Sequence, residues 1–311
     1  MIPTDAIQCE NLTRTFGTLT AVDHINLKIP RAQIYGFLGP NGSGKSTTIR
    51  MLCGLIRPSA GSARVLDYKI PGQEEALKFK IGYMTQRFSL YEDLTVGENL
   101  DFMAKVYSLS GAQRRARIAE SLAVFDLGDR QKQRAGTLSG GQKQRLSLAG
   151  TTLHKPELLF LDEPTSAVDP QSRRDFWEYL FQLCAQGTTI LVSTHYMDEA
   201  ERCHALAILD HGAVVADGSP RALEERIGVH VTEVESADLN QTRQSLTQID
   251  GVLSVTQLGM RLRVLLRKDI ADPIAHLSAA TSGAADVKIA RASLEDVFVA
   301  ATRGHYRKGA A

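Results

Sequence analysis

No stretch of the 311-residue sequence approaches the roughly 18 consecutive apolar residues that a membrane-crossing helix needs. The opening MIPTDAIQCE lacks a basic segment followed by an apolar core, so a secretory leader is not indicated. Excess charge is missing too. The 36 Lys and Arg against 35 Asp and Glu leave a net +1, which gives no global reason to bind nucleic acid or a membrane surface, and no nucleic-acid partner is expected. Cys9, Cys53, Cys184 and Cys203 are scattered, with no C-x-x-C pair, so neither a zinc site nor a disulfide framework is indicated. The expectation is a chain with free thiols in a reducing cytosol, neither exported nor membrane-spanning by itself.

What remains is an ordinary globular composition, 43% apolar and 23% charged, in a chain longer than one average domain. One large domain over residues 1–222 and a smaller one over 223–311 are expected. Residues 5–37 alternate apolar and polar positions, which predicts short strands leading into a glycine loop. Ile49, Leu52, Cys53 and Ile56 at helical spacing predict a helix over Ser46–Leu55. Residues 95–155 are rich in helix formers and predict a helical subdomain within about 90–155. LLFLD and TTILVST are apolar runs too short for helices, typical of parallel strands buried on both faces, with a helix over about 171–185 between them. Such alternation implies a doubly wound α/β sheet. The last ninety or so residues contain no second glycine loop. They read β-α-β-β-α-β plus a helical tail, which fits a small ferredoxin-like α+β domain.

Chemistry concentrates at a few positions. GPNGSGKST satisfies G-x-x-x-x-G-K-[ST] through Gly39, Gly44, Lys45 and Ser46, with Pro40, Asn41, Gly42, Ser43 and Thr47 completing the loop between a strand and a helix. Glycines there let successive backbone N–H groups face phosphates, Lys45 reaches the β and γ phosphates, and Ser46 can hold magnesium. Asp162 and Glu163 end the buried strand LLFLD, at the edge where doubly wound sheets place ligands. Asp162 is read as a magnesium ligand, and Glu163 as the group that orients or deprotonates an attacking water. His195 follows the next strand at the same edge, within reach of a γ-phosphate. A second stretch, TLSGGQKQRL, reads as a turn and two glycines opening a helix, again a place for an anion.

Gly39–Thr47, Gln86, Leu138–Gln142, Leu158–Glu163, Ser166–Asp169 and His195 stand in the order and spacing of an ATP-binding-cassette ATPase subunit, and the chain resembles that family over about residues 5–225. GYMTQRFSLYEDLTVGENL, THYMDEAERC and SLEDVFVAAT resemble more narrowly the drug-export, ABC-2-type group. The resemblance implies a P-loop NTPase core of RecA type, with a short antiparallel β subdomain and the helical subdomain already predicted. It implies ATP and magnesium as cofactors, and two subunits meeting head to tail with each ATP held between the glycine loop of one and Ser139, Gly140, Gly141 and Gln142 of the other. It places Phe16, where tyrosine is usual, against adenine, and Gln86 on magnesium and the attacking water. Asp169 falls in a loop linking the two sites.

The implied partners are membrane-spanning permease subunits and a second copy of this or a related ATPase. The implied location is peripheral, on the cytoplasmic face of the inner membrane, exporting a drug-like or other hydrophobic substrate. Phe88, Leu90 and Tyr91 are expected to form an apolar docking patch. Soluble relatives acting in DNA maintenance would need a coiled-coil insertion between Lys45 and Ser139, only 94 residues apart. Those acting in translation normally carry two glycine loops, and this chain has one.

Overall fold

A computed structural model describes residues 5–166, 168–281 and 285–306. The chain divides into two compact units between Val214 and Val215.

The first unit opens with β1 (Asp5–Phe16) and β2 (Leu19–Pro30), an antiparallel pair that turns at Gly17 in the left-handed region, φ 57°. These are 12-residue strands, not the short lead-ins expected, and they lie in a different sheet from the glycine loop. The second half of β2 shows why: Ile25, Leu27 and Ile29 are buried while Asn26 and Lys28 are exposed, the one wet face that suits an antiparallel sheet. By contrast β3 (Ile34–Leu38) is buried at every residue and belongs to the parallel core. After the glycine loop come α1 (Lys45–Leu52) and then β4 (Ala60–Val65) and β5 (Tyr68–Ile70), which complete the antiparallel sheet in the order β2-β1-β4-β5. The helix stops short of the expected Leu55 because Gly54 turns left-handed, φ 71°, leaving Leu55 exposed.

A short α2 (Glu74–Leu77) leads to β6 (Ile81–Met84) and the helical region: α3 (Val96–Val106), α4 (Gly111–Val124) and α5 (Gly140–Thr152). Both α3 and α5 open on a capping box, Thr95 with Glu98 and Ser139 with Gln142. The core sheet then gains β7 (Leu158–Asp162), α6 (Pro170–Ala185), β8 (Thr189–Thr194), α7 (Met197–Ala200), β9 (Ala205–Asp210) and β10 (Ala213–Gly218). Its order is β10-β9-β3-β8-β7-β6, with β9, β3, β8, β7 and β6 mutually parallel. Strand β7 separates two cores. Leu158 and Phe160 join the cluster of the antiparallel sheet and α1, while Leu159 and Leu161 join that of the helical region and α6. A five-residue apolar run is what a strand buried on both faces requires.

The second unit holds α8 (Pro220–Glu225), β11 (Val229–Ser236), α9 (Leu239–Thr247), β12 (Val252–Leu258), β13 (Arg261–Arg267), α10 (Pro273–Ala280), β14 (Ala285–Ile289) and α11 (Leu294–Tyr306). The sheet order β12-β13-β11-β14, antiparallel throughout, places the fourth strand beside the first and the third between first and second. That is the split β-α-β arrangement. Asp296, in the first turn of α11, receives a two-pronged bond from Arg263 of β13 and accepts from the Ser293 N–H, which fixes the start of that helix.

Candidate functional site

The glycine loop leaves the C-terminal end of β3 and has no room for side chains at Gly39 and Gly44, where it enters and leaves its turn. A Cβ on Gly39 would lie 2.4 Å from the Leu209 carbonyl oxygen, and one on Gly44 would lie 2.6 Å from that of Ala21. Gly44 also adopts φ 100°, which a β-carbon disfavours, and serves as the cap that starts α1. The loop therefore presents backbone where other sequences would present side chains. Ser43 Oγ is buried there without a hydrogen-bond partner.

Lys45 is the first residue of α1 and is 4% exposed. Its ammonium donates to the Gly39 and Pro40 carbonyls at 2.8 and 3.0 Å and lies 3.4 Å from Glu163 Oε1. Burial pushes its pKa below the ordinary lysine value, and the Glu163 carboxylate partly opposes that. The next residue, Ser46, donates to Asp162 Oδ1 at 2.8 Å, across 116 positions of sequence.

Asp162 ends β7 and is 1% exposed. Its Oδ1 accepts a second bond at 2.7 Å from Ser193 Oγ. Sequence reasoning missed Ser193, because its hydroxyl sits in the apolar run TTILVST. Its role arises from the parallel register, which sets Ser193 directly opposite Asp162. The Glu163 N–H donates to Ser193 Oγ at 2.9 Å, and Glu163 takes a left-handed backbone, φ 47°. That turn lies within the buried end of the strand and brings the carboxylate between three partners. Lys45 is one, Gln86 Nε2 donates to Oε2 at 3.1 Å, and His195 Nδ1 lies 3.3 Å from the same oxygen. Loops after β3, β6, β7 and β8 thus converge on one carboxylate, at the C-terminal edge of the parallel sheet.

The second stretch is built differently. Ser139 caps α5, its Oγ accepting from the Gln142 N–H while the Gln142 side chain accepts from the Ser139 N–H. Gly140 and Gly141 are first-turn residues, so their N–H groups have no intrahelical acceptor. Gly141 is needed for packing, since a Cβ there would meet Ser172 Oγ at 2.5 Å. Asp169 caps α6 through the Gln171 and Ser172 N–H groups, so it and the LSGGQ turn meet where α5 and α6 begin. Ala167, within the predicted Ser166–Asp169 segment, lies outside the described residues. Among the described residues, no hydrogen bond or ion pair joins Ser139–Gln142 to the cluster around Glu163.

Phe16, at the end of β1, is 43% exposed, with the Arg14 guanidinium 4.4 Å from its ring centre. The expected apolar patch is smaller than predicted. Phe88 and Leu90 pack against the core of the helical region, whereas Tyr91 is exposed and meets Phe102 edge to face. Phe102 was not singled out from sequence; it stands on α3 among core-facing residues. Asn99, fully buried, holds this segment by bonds with the Tyr91, Leu94 and Thr95 backbone.

The oxygens of Ser46, Asp162 and Gln86 are hard donors of the kind magnesium takes, and no group of three or more His, Cys, Asp or Glu among the described residues could hold a metal. A single carboxylate with hydroxyl and phosphate oxygens is the usual magnesium arrangement, so the residues fit that ion. All four cysteines are buried and free, and no described helix is long and apolar enough to cross a membrane.

Residues 22–166 match the sequence profile described as ABC transporter. The chain is 36% identical to the daunorubicin/doxorubicin resistance ATP-binding protein DrrA of Streptomyces peucetius over 97% of its length and 94% of that protein. It is 43% identical to the probable multidrug ABC transporter ATP-binding protein YbhF of Escherichia coli strain K12 over 70% of its length, but spans only 38% of that protein. Among solved structures, a dimeric post-hydrolysis ATP-binding cassette bound to ADP and Pi superposes with a TM-score of 0.62 at 28% identity, covering 68% of this chain and 97% of that one.

Proposed function

The chain belongs to the ATP-binding-cassette family of transporter subunits, and on that premise we propose that it hydrolyses ATP and closes as a head-to-tail pair around two nucleotides to drive a separate membrane permease. The observation that carries this reading is the convergence of Lys45, Gln86 and His195 on the Glu163 carboxylate beside the glycine loop.

The loop from Gly39 to Thr47 cradles the triphosphate with backbone N–H groups and the start of α1. Lys45 gives its ammonium to the β and γ phosphates. Ser46, Asp162 and Gln86 hold magnesium, which when bound neutralises phosphate charge. Glu163 accepts the proton of the attacking water, Gln86 and His195 position that water and the transferring group, and Phe16 stacks on adenine. Ser193 is a positioning residue, fixing Asp162 and the backbone of Glu163 together.

The pocket is completed from outside. Ser139, Gly140 and Gly141 of a second copy, or of a related ATPase, offer first-turn amides to the open side of the triphosphate, and Asp169 beside them links the two sites. Tyr91, which follows Gln86 closely in sequence, and Phe102, against which it packs, are exposed and are where the permease docks. Relatives named for multidrug and daunorubicin/doxorubicin resistance support a drug-like or hydrophobic exported substrate, with the chain on the cytoplasmic face of the inner membrane. The test is purification of the Glu163→Gln form from detergent-solubilised membranes with ATP and magnesium. A co-purifying polytopic protein and a stable ATPase pair are expected; a chain that stays single and alone overturns the reading.

A further inference from the structure

At the opposite edge of the parallel sheet from Glu163 lies a cleft of about 470 Å³, within the roughly 300–1,000 Å³ span of small-molecule sites. Its position follows from chain direction. Arg31 precedes β3, Glu157 precedes β7 and Thr188 precedes β8, so their side chains collect where the strands begin, while Lys45, Asp162 and His195 collect where they end. The helices close it: α4 contributes Val124, α5 ends at Thr152, and α6 contributes Tyr179 and Gln182.

The lining has two chemistries. Phe125 and Tyr179, with ring centres 5.1 Å apart, stand with Leu159 and Leu183 as apolar wall. Three cations, Arg31, Arg117 and Lys155, face two carboxylates, Glu120 and Glu157, leaving one positive charge in excess. Arg117 is committed, donating to the Leu153 and Thr152 carbonyls and paired with Glu120. The other two are loosely held: Arg31 reaches Glu157 at 3.4 Å and Asp67 at 3.6 Å, and Lys155, 69% exposed, reaches Glu120 at 3.5 Å. Arg31 is itself only 26% exposed, but the carboxylates it and Lys155 reach are about half-exposed or more, and long pairs with such solvated partners yield readily to a better acceptor.

We infer that this cleft is an effector site for a soluble organic anion with an aromatic or alkyl body, its charge taken by Arg31 and Lys155 and its body by the Phe125–Tyr179 wall. Three elements that end or begin at the cleft carry catalytic or pairing groups at their far ends. β7 runs to Asp162 and Glu163, α5 starts at the Ser139 cap, and α6 starts at the Asp169 cap. A ligand between them bears on both nucleotide-facing edges without touching nucleotide. The effect on turnover rests on the ATPase reading above; the binding does not.

The probe is anilinonaphthalene sulfonate, an apolar aromatic body with one anionic group, followed by its fluorescence on the full chain. Saturable binding with one site per chain is expected, about tenfold tighter than that of the uncharged N-phenyl-naphthylamine. Gln182→Trp, at an exposed position on α6, plugs the cleft, and Arg31→Gln with Lys155→Gln removes the loose cations. Each is expected to weaken binding at least about tenfold with ATP affinity unchanged. Misfolding would raise the fluorescence, so it cannot imitate these losses. Saturating probe is expected to change ATP turnover at least about twofold in the parent chain and not in the plugged one. Probe binding untouched by the plug overturns the site, binding lost with the plug but kept without the cations overturns the anion, and unchanged turnover overturns the effector role. A parent chain with no ATPase activity would instead count against the function proposed above, with the fluorescence arms still deciding the site.

Discussion

The two anion-facing regions of the first unit are built on opposite plans. Around Glu163 a buried core of Lys45, Asp162, Ser193 and Glu163 itself is capped by the exposed Gln86 and His195, and these side chains are already bonded to one another. At Ser139–Gln142 the capping bonds are internal to the turn, Ser139 and Gly140 are exposed, and the first-turn amides point away from the helix they start. A region that satisfies itself holds a ligand and reacts with it. A region that satisfies only its helix cap is finished by something from another molecule. Damage to the first is therefore expected to register in an isolated chain, and damage to the second only when two chains meet.

The largest effect is expected for Glu163→Gln, which keeps hydrogen bonding to Gln86 but removes the proton acceptor. Turnover in a phosphate-release assay should fall by about 10²-fold or more while nucleotide binding persists. Lys45→Ala should weaken ATP binding by roughly 100-fold in calorimetry, about 3 kcal/mol for a buried charge-assisted contact. Undiminished affinity there would remove the distinction between the two regions. Ser139→Arg is the counterpart on the other side: ATP affinity of the separate chain stays as it is, and turnover drops about tenfold or more as the bulky cation keeps two copies apart. Loss of affinity in that variant would mean that both regions serve one nucleotide within one chain.

Phe16→Ala sharpens the contrast at smaller scale, with an expected rise in KM of about fivefold at unchanged kcat, near 1 kcal/mol for a lost stacking face. The smallest effect lies outside both regions. His154 is stacked on Tyr107 at 3.5 Å and donates Nε2–H to the Ile81 carbonyl, and burial lowers its pKa to about 4. Because the folded pKa lies below the unfolded value, stability is full above about pH 6.5 and is lost as pH falls toward 4. The loss should reach about 2 kcal/mol at most after allowance for partial exposure. Thermal melts of His154→Gln should lack that portion of the acid dependence.

Much of this was legible in the sequence, for identifiable reasons. The glycine loop and LLFLD are contiguous, and a buried parallel strand admits few residue types, so both the strand and the two acids at its end could be placed from local pattern. LSGGQ was legible as a helix start because capping is local as well. Ser193 was not, since its partner lies 31 positions away and is set by the register of β7 against β8. The partial burial of Phe88 and Leu90, and the pairing of Tyr91 with Phe102, depend on how α3 packs, which apolar spacing does not specify. The antiparallel β subdomain was expected from the family resemblance, but that β1 and β2 belong to it was not read from local pattern, because alternation reports a wet face and not which strands lie alongside.

The 3.4 Å contact between the Lys45 ammonium and the Glu163 carboxylate has a kinetic consequence on the proposed reading. Both groups are wanted by the same guest, the cation by its phosphates and the anion by its water, and while they hold each other neither is at full strength. An incoming polyphosphate draws off the ammonium and unmasks the base in a single exchange. Idle splitting of other phosphate esters is thereby disfavoured, because the proton acceptor is armed by the very molecule it will act upon.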